Sequence, residues 1–174
     1  SDSIYAARCI AAWAARYIGA IEDSAKASKP LPAGQVEVAE TGSGQFAQSV
    51  RVGSHILIAD EPASVGGDNT GPAPYDYLLA GLGACTSMTL RMYANRKRLP
   101  LDKVSVLLSH NKIHADDCAD CETKEGKIDE IKRDITITGD LTDEQRAKLI
   151  EIADKCPVHR TLEREVKVRT ALVA

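Results

Sequence analysis

Hydrophobic residues recur along the chain at two different periods, which predict an alternation of strands and helices. A period of about two residues, typical of half-buried strands, marks six segments: residues 35–38, 45–52, 54–59, 103–113, 131–138 and 164–172. A period near 3.6 residues, typical of helices packed on one face, marks residues 4–27, 75–97 and the stretch from Thr142 to Pro157. Residues 60–74 are turn formers and predict a loop. After the first helix the order is βββ-α-ββ-α-β, so we expect an α+β domain.

The second and third predicted helices carry the clearest signals. Residues 77–90 contain no charged side chain, and a helix that is apolar on most of its sides is expected to be buried. The third helix opens with Thr142 and Gln145, which form a capping box that satisfies two backbone N–H groups. A segment rich in Pro at 28–34 separates the first helix from the rest. We therefore predict two parts: residues 1–34, a helix and linker, and residues 35–174, the main domain.

Composition is that of an ordinary globular protein and argues against several classes of function. The 174 residues suffice for one well-packed domain. The formal net charge is −3, whereas a nucleic-acid-binding domain usually carries a basic surface. No apolar run approaches the roughly 20 residues that a membrane-spanning helix needs, and no cationic leader precedes an apolar run. We expect no nucleic-acid partner, no membrane span and a cytoplasmic location.

Five cysteines are the main candidates for chemistry: Cys9, Cys85, Cys118, Cys121 and Cys156. An odd number without a secretory leader indicates reactive or metal-binding thiols more than a framework of structural disulfides. Cys85 and Cys156 lie on the apolar faces of the two core helices. Each is either a small packing residue or one of two thiols that meet in the interior. Two such thiols suit a peroxidase, because one is oxidised to a sulfenic acid and the other condenses with it to a disulfide.

Two motifs around these cysteines resemble those of a known family. GPAPYDYLLAGLGACTSMTLRMYA (71–94), followed about seventy residues on by CPVHRTLE (156–163), is similar to the OsmC/Ohr superfamily of organic hydroperoxide reductases, and the resemblance extends over residues 36–173. It implies that Cys85 is the peroxidatic thiol and Cys156 the resolving thiol. It also implies an OsmC-like intertwined homodimer, in which two sheets wrap a pair of central helices and the active sites lie at the subunit interface. The implied reductant is a dithiol such as a dihydrolipoyl group, and no haem, flavin or metal cofactor is implied.

The chain departs from the family pattern at the groups that assist the thiolate. Better-known members carry a Glu directly after the Pro that stands eleven residues before the peroxidatic cysteine. Here Tyr75 takes that place, followed by Asp76. Members also hold the thiolate with an Arg from an early strand–turn region. The corresponding segment 41–45 has no Arg, and Arg51 follows on the next strand. His159, three residues after the second motif's cysteine, is either a hydrogen-bonded structural group or a participant in catalysis.

A second cluster of metal-type ligands lies near the connection between two predicted strands. His110, His114, Cys118 and Cys121 match a tetrahedral zinc site in residue type. Four residues along a strand separate the two His by about 13 Å, which is too far for one metal ion. The acidic neighbours of the cysteines oppose thiolate formation. Three interpretations stay open: a metal site, a redox-active CxxC pair, and a polar loop with exposed, incidental thiols. We expect the last of these and no bound metal.

Two functions from different classes fit the sequence. The first is a cysteine-based peroxidase for organic or fatty hydroperoxides in oxidative-stress defence, in which Leu78, Leu82 and Met88 give the pocket an apolar lining that favours alkyl hydroperoxides. The second is a non-enzymatic ligand-binding or redox-regulatory module on the same fold. Residues 4–21 also resemble the last helix of an α/β-hydrolase domain that some OsmC-like proteins carry fused at the N-terminus, so such a domain is an expected partner.

Overall fold

The computed structural model of the chain describes residues 29–118, 121–123 and 125–173. The predicted helix at 4–27 lies outside the described residues, and the predicted boundary after residue 34 stays a prediction. The chain divides into two compact units, residues 1–74 and residues 75–174. Among the described helices of both units, none combines the length and apolar character that a membrane crossing requires.

The described part of the first unit is built on a three-stranded antiparallel sheet. Its strands are β1 (Val36–Glu40), β2 (Gln48–Val52) and β3 (His55–Ala59), with β2 in the centre. Gly53, in the turn between β2 and β3, has φ of 58°, a left-handed conformation that glycine adopts without steric cost. All three predicted strands of this region are confirmed.

The predicted loop at 60–74 is held together by one buried carboxylate. Asp60 is only 3% exposed, and it accepts hydrogen bonds from the N–H groups of Glu61, Asp68 and Thr70 and from the Thr70 hydroxyl, at 2.8–3.2 Å. The loop also contains a one-turn 3₁₀ helix at Ala63–Val65. A loop of turn-forming residues thus receives a defined shape, because one side chain satisfies several backbone donors that no strand partner reaches.

The second unit combines helices with one long hairpin. In chain order it contains α1 (Pro74–Lys97), β4 (Lys103–His114), β5 (Lys127–Thr138), α2 (Asp143–Ala153) and α3 (Pro157–Leu162). Strands β4 and β5 pair antiparallel over all twelve residues of each, from Lys103 opposite Thr138 to His114 opposite Lys127. Strand β5 starts four residues before the predicted segment. The predicted capping box of Thr142 and Gln145 at the start of α2 is confirmed.

The core of this unit lies where α1 crosses α2. Leu90 and Ala94 of α1 are fully buried with Leu149, Ile152 and Ala153 of α2. The hairpin covers this cluster with three inward-facing side chains, Val104, Ile135 and Ile137. This packing fixes the end of α2, and with it the position of the residues that follow.

Two predictions for the second unit are wrong for the single chain. Helix α1 is not buried on most sides: it buries one stripe of residues spaced by four (Leu82, Thr86, Leu90 and Ala94), while Met88 and Met92 are 64% and 72% exposed. The predicted strand at 164–172 does not form either, and residues 165–173 adopt neither helix nor strand. A strand needs a neighbour to satisfy its backbone groups, and within the described chain this segment pairs with none.

Candidate active site

Cys85 and Cys156 meet inside the second unit. Cys85 lies in the middle of α1, and Cys156 is the residue that precedes α3. Pro157 occupies the first position of α3, where its fixed φ favours helix and its missing N–H is no loss. The new helix therefore begins directly after Cys156 and holds this residue against α1. The two thiols lie close enough for each to shift the pKa of the other through hydrogen bonding. Cys156 is fully buried, whereas Cys85 is partly exposed.

Cys156 is surrounded by hydrogen-bond donors. Its burial opposes ionisation, but the Cys85 thiol, the His159 N–H, the Thr86 hydroxyl and the Val158 N–H all donate to it, and together they lower the pKa of Cys156 below that of an ordinary thiol. Backbone donors of this kind stabilise a thiolate because they point at the sulfur with little cost in reorganisation. The first proton lost by the thiol pair is therefore the one on Cys156.

Cys85 has the opposite tendency. Burial and its hydrogen bond to Cys156 raise the pKa of Cys85, and donation from the Val158 N–H and the Thr89 hydroxyl offsets this only in part. Cys156 is therefore the thiol of the pair that ionises more readily, and Cys85 is the one that keeps its proton once the other has left.

Arg133 is connected to this arrangement through Thr86. Its guanidinium donates to the Thr86 hydroxyl oxygen at 3.1 Å, to the Ala153 carbonyl at 3.3 Å and to the Asp154 carboxylate at 2.6 Å. Because Thr86 in turn donates to Cys156, a chain of hydrogen bonds leads from the positive charge to the thiolate. Such chains strengthen each member by polarisation.

Arg133 was not among the predicted site residues, although the sequence indicates that its side chain faces the interior. Arg133 follows the same alternation as Ile131, Ile135 and Ile137, and all four are partly buried while the residues between them are exposed. A charged residue in the inward-facing phase of a strand must find partners in the interior. The residues that it contacts come from α1 and the end of α2, and their proximity is not readable from the sequence.

A cavity of about 670 Å³ is lined by residues close to the thiol pair, among them Leu82 and His159. One part of its lining is apolar, with Leu78, Leu82, Ile131 and Leu162. The remainder is polar, with Tyr75, His110, Cys121, Asp129, Arg133, His159 and Glu163. Leu82 lies one helical turn before Cys85. Met88, which we expected here, lines a different cavity beside Arg91 and Met92. The cavity therefore offers an apolar wall close to the more exposed thiol.

Tyr75 joins a small polar cluster on the wall of this cavity. Its ring stacks on His110, with the ring centroids 4.3 Å apart and the planes 11° from parallel. The His110 Nε2 lies 2.8 Å from the Asp129 carboxylate. The side chain in the place of the family's Glu thus contributes an aromatic surface and a hydrogen-bonded imidazole instead of a carboxylate.

His159 lies on the same wall and is held by acidic side chains. Its Nε2 is 2.7 Å from the carboxylate of Glu163, the residue that directly follows α3. Its Nδ1 is buried and has no hydrogen-bond partner among the described residues, with Asp154 3.6 Å away. His159 also contributes its backbone N–H to Cys156. Its contact with the thiol pair is thus made by the main chain, and its ring faces the cavity.

The two other predicted site residues have different surroundings. Arg51 belongs to the first unit, where it pairs with Glu37 at 2.6 Å and donates to the Lys29 carbonyl at 3.2 Å. Asp76 lines a separate cavity of about 510 Å³ with Leu79, Gly83 and Val104. Neither side chain belongs to the cavity that adjoins the thiol pair.

Cys118 and Cys121 form a disulfide, so the expectation of exposed, incidental thiols is wrong. Their Cα atoms are 5.5 Å apart, both residues are partly buried, and Cys121 lines the cavity beside the thiol pair. In the described part of the chain, no three His, Cys, Asp or Glu residues are grouped so that they could hold a metal ion.

Comparisons with known proteins find one matching family model and several solved structures of similar fold. A family model described as OsmC-like protein matches residues 67–171, more than half of the chain. An OsmC-like protein of Mycoplasma pneumoniae shares 19% identity and a TM-score of 0.58, over 74% of this chain and 86% of that chain. An organic hydroperoxide resistance protein of Legionella pneumophila has 20% sequence identity and a TM-score of 0.54, over 74% of this chain and 89% of that chain. One of Elizabethkingia anophelis has 21% sequence identity and a TM-score of 0.53, over 78% of this chain and 91% of that chain. Comparison with curated protein sequences finds no significant match. At these identities, the likeness to solved structures establishes the fold.

Proposed function

Because the chain belongs to the OsmC-like protein family, we propose that it is a thiol-dependent peroxidase that reduces organic hydroperoxides through a Cys85–Cys156 disulfide. The observation that carries this proposal is the proximity of the two thiols, each of which shifts the pKa of the other, since neighbouring sulfurs can join in a disulfide without rearrangement of the fold. The descriptions of the Legionella and Elizabethkingia proteins as organic hydroperoxide resistance proteins support the same activity.

Cys85 attacks the peroxide in the proposed mechanism, because it is the more exposed thiol. As its sulfur attacks the terminal oxygen of R–O–OH, its proton passes to the Cys156 thiolate, which accepts the hydrogen bond between them. The O–O bond breaks, Cys85 becomes a sulfenic acid, and the alkoxide receives the proton from Cys156 and leaves as an alcohol. The Cys156 thiolate then attacks the Cys85 sulfur and expels hydroxide, which leaves the disulfide.

Arg133 supports the thiolate through Thr86 in this mechanism. The family's Arg and Glu are absent from their usual places in this chain, and the Arg133–Asp154 pair supplies a guanidinium and a carboxylate from β5 and the end of α2. The Asp154 carboxylate orients the guanidinium, and the Thr86 hydroxyl transmits its effect to Cys156.

The substrate class follows from the cavity. Leu78, Leu82, Ile131 and Leu162 offer an apolar wall, which favours an alkyl or aryl group over hydrogen peroxide, because the latter gains nothing from apolar burial. We expect a dithiol, such as a dihydrolipoyl group, to reduce the resulting disulfide.

Single cysteine variants test the activity. Cys85→Ser should abolish consumption of cumene hydroperoxide in stopped-flow assays. Cys156→Ser should react slowly and once, since it lacks both the base and the resolving thiol, and mass spectrometry should then detect sulfinic acid at Cys85. Cys9→Ser is the matched control and should retain wild-type kinetics. The proposal fails if the native protein leaves the hydroperoxide intact while the unfolded protein consumes it.

The second candidate is a ligand-binding or redox-regulatory module. The raised pKa of Cys85, caused by burial and by its hydrogen bond to Cys156, favours this candidate because it makes the thiol a poorer nucleophile at neutral pH. An unreactive Cys85 in the test above, together with saturable binding of alkyl alcohols that protects Cys85 from alkylation, would support the module over the enzyme.

We also propose a homodimer in the cytoplasm. Large apolar side chains of the second unit are exposed in the single chain, including Met88, Met92, Val168 and Leu172, and contiguous exposed apolar surface marks an interaction site. A second copy would cover these side chains and offer a strand neighbour to residues 165–173. A monodisperse monomer in light scattering at micromolar concentration would contradict the dimer.

A further inference from the structure

We propose that Cys118 and Cys121 form a second redox site, which takes electrons from an external dithiol and passes them to the Cys85–Cys156 disulfide by thiol–disulfide exchange. This inference rests on the proposed function in so far as that disulfide is the oxidised state left by peroxide reduction. The step itself needs no peroxide, and it can be tested separately.

The position of Cys121 supports this proposal. Cys121 lines the cavity of about 670 Å³ that also receives Leu82 and His159. Leu82 lies one helical turn before Cys85, and the His159 N–H donates to Cys156. One cavity is thus lined by Cys121 and by residues close to both Cys85 and Cys156, and the proposed exchange takes place across it.

The different exposure of the two cysteine pairs to an external dithiol also supports the proposal. We call Cys85–Cys156 the inner pair and Cys118–Cys121 the outer pair. Cys156 is fully buried and Cys85 is partly exposed, so an external dithiol that approaches the inner disulfide can reach only the Cys85 sulfur. Cys118 and Cys121 are both partly exposed, and they lie on the connection between two strands, where a reductant can approach from solvent. An outer pair of this kind gives a bulky reductant a site that it can reach.

The third argument is that the outer disulfide has little structural role. Its two cysteines are only three residues apart in sequence, and cross-links that close short loops remove little entropy from the unfolded chain. The adjoining strands already pair over all twelve residues. Because the cross-link adds little to a hairpin that is already fixed, redox chemistry accounts for it better than stability does.

The direction of electron flow between the Cys118–Cys121 pair and the Cys85–Cys156 pair follows from the groups around each pair. Backbone and hydroxyl donors stabilise the Cys156 thiolate, and a pair whose reduced form is stabilised is the stronger oxidant. Asp117 and Glu122 adjoin the outer cysteines, and carboxylates disfavour a nearby thiolate. Electrons should therefore move from the outer pair to the inner pair.

The exchange balances in two steps. The Cys121 thiolate attacks the Cys85 sulfur, which forms a Cys85–Cys121 mixed disulfide and releases Cys156 as a thiolate, the better leaving group of the inner pair. The Cys118 thiolate then attacks Cys121, re-forms the outer disulfide and releases Cys85. The protons given up by Cys118 and Cys121 are taken up by the inner pair. The external dithiol becomes a disulfide when it reduces the outer pair again.

A reduction experiment tests this relay, the transfer of electrons from an external dithiol through Cys118 and Cys121 to the Cys85–Cys156 disulfide. The full chain is oxidised at both pairs with diamide, mixed with one equivalent of dihydrolipoamide, quenched with acid at successive times, and mapped by differential alkylation and mass spectrometry. We expect free thiols first at Cys118 and Cys121, and later at Cys85 and Cys156 as the outer disulfide re-forms. In Cys118→Ser, which cannot complete the exchange, the Cys85–Cys121 mixed disulfide should accumulate.

The Cys118→Ser/Cys121→Ser double variant provides the decisive comparison. Its inner disulfide should be reduced by dihydrolipoamide at least tenfold more slowly than that of the wild type. Each rate is divided by the rate with a trialkylphosphine, a small reductant that needs no relay, so that altered folding or cavity access does not affect the ratio. A normalised rate equal to that of the wild type overturns the relay. Loss of peroxide consumption with the relay intact would instead refute the proposed function alone.

Discussion

Replacement of Thr86 by Val tests the hydrogen-bond chain that leads from Arg133 to Cys156. Thr86 is fully buried, accepts from Arg133 at 3.1 Å and donates to Cys156. Val has nearly the same shape but no hydroxyl. The change therefore removes one of the donors that stabilise the Cys156 thiolate and leaves one N–H of the Arg133 guanidinium without its acceptor.

The size of the effect follows from the hydrogen bond that is lost. A hydrogen bond to a charged group contributes about 1.5–3 kcal/mol, and a difference of about 1.4 kcal/mol between protonation states corresponds to one pKa unit. The three donors that remain to Cys156 compensate in part, so we expect its pKa to rise by about one unit. The unsatisfied Arg133 N–H should also lower the free energy of unfolding by about 1–3 kcal/mol.

The pH profile of the first turnover measures this shift. If the Cys156 thiolate is the base for Cys85, the rate of cumene hydroperoxide consumption in stopped flow rises as Cys156 ionises, below the pH at which an ordinary thiol ionises. In Thr86→Val this rise should move to higher pH, while Thr86→Ser, which keeps the hydroxyl, should retain the wild-type midpoint. Coincident midpoints for the wild type and Thr86→Val would refute the proposed role of the Arg133–Thr86 chain.

Two further predictions concern stability. The N–H and hydroxyl of Thr70, with the other donors of the loop, lower the pKa of Asp60, so the stabilisation by its carboxylate is complete above about pH 4 and is lost as the pH falls through the lower folded-state value. The difference in urea stability between wild type and Asp60→Asn should therefore shrink in acid, and a pH-independent difference would contradict this account. A Cβ at Gly139, whose φ is 135°, would overlap the Pro100 carbonyl oxygen, whereas at Gly126, with φ of 84°, nothing lies within 4 Å. Gly139→Ala should thus cost about 1–3 kcal/mol more than Gly126→Ala in denaturant titrations, and equal costs would show that the backbone yields at Gly139.

Much of the fold was predictable because the sequence patterns that indicate its helices and strands are local. The capping box at Thr142, the uncharged stretch of α1 and the alternation in β4 each depend on neighbours in sequence. The failures concern tertiary context. The alternating segment at 164–172 has the composition of a strand, but no strand of the described chain pairs with it. The helix predicted to run from Thr142 to Pro157 ends at Ala153, and Pro157 begins another helix, whose six residues are too few to show a periodicity.

For the site, the two cysteines were predictable and their supporting groups were not. Both cysteines were predicted on apolar helix faces that turn toward a shared interior, which holds for Cys85 of α1, whereas Cys156 lies in the short connection between α2 and α3. Arg51 was chosen for its closeness in sequence to the early strand–turn region, and it stays a prediction, whereas the packing of the hairpin brings Arg133 to Thr86. Which cation reaches a thiol depends on how separate elements pack, and amino-acid spacing does not contain that information.

Arg133 also has a consequence for how the long hairpin finds its pairing. Strands β4 and β5 present regularly alternating apolar side chains, so a slip of two residues would keep Val106 and Ile135 on the inward face at little loss of hydrophobic burial. The same slip would carry the Arg133 guanidinium about 7 Å along the strand, away from Thr86 and Asp154. An ion left without its partners inside a protein costs about 3–5 kcal/mol. The guanidinium that we propose to support the thiols therefore also penalises mispaired hairpins, so one side chain contributes to the uniqueness of the native state as well.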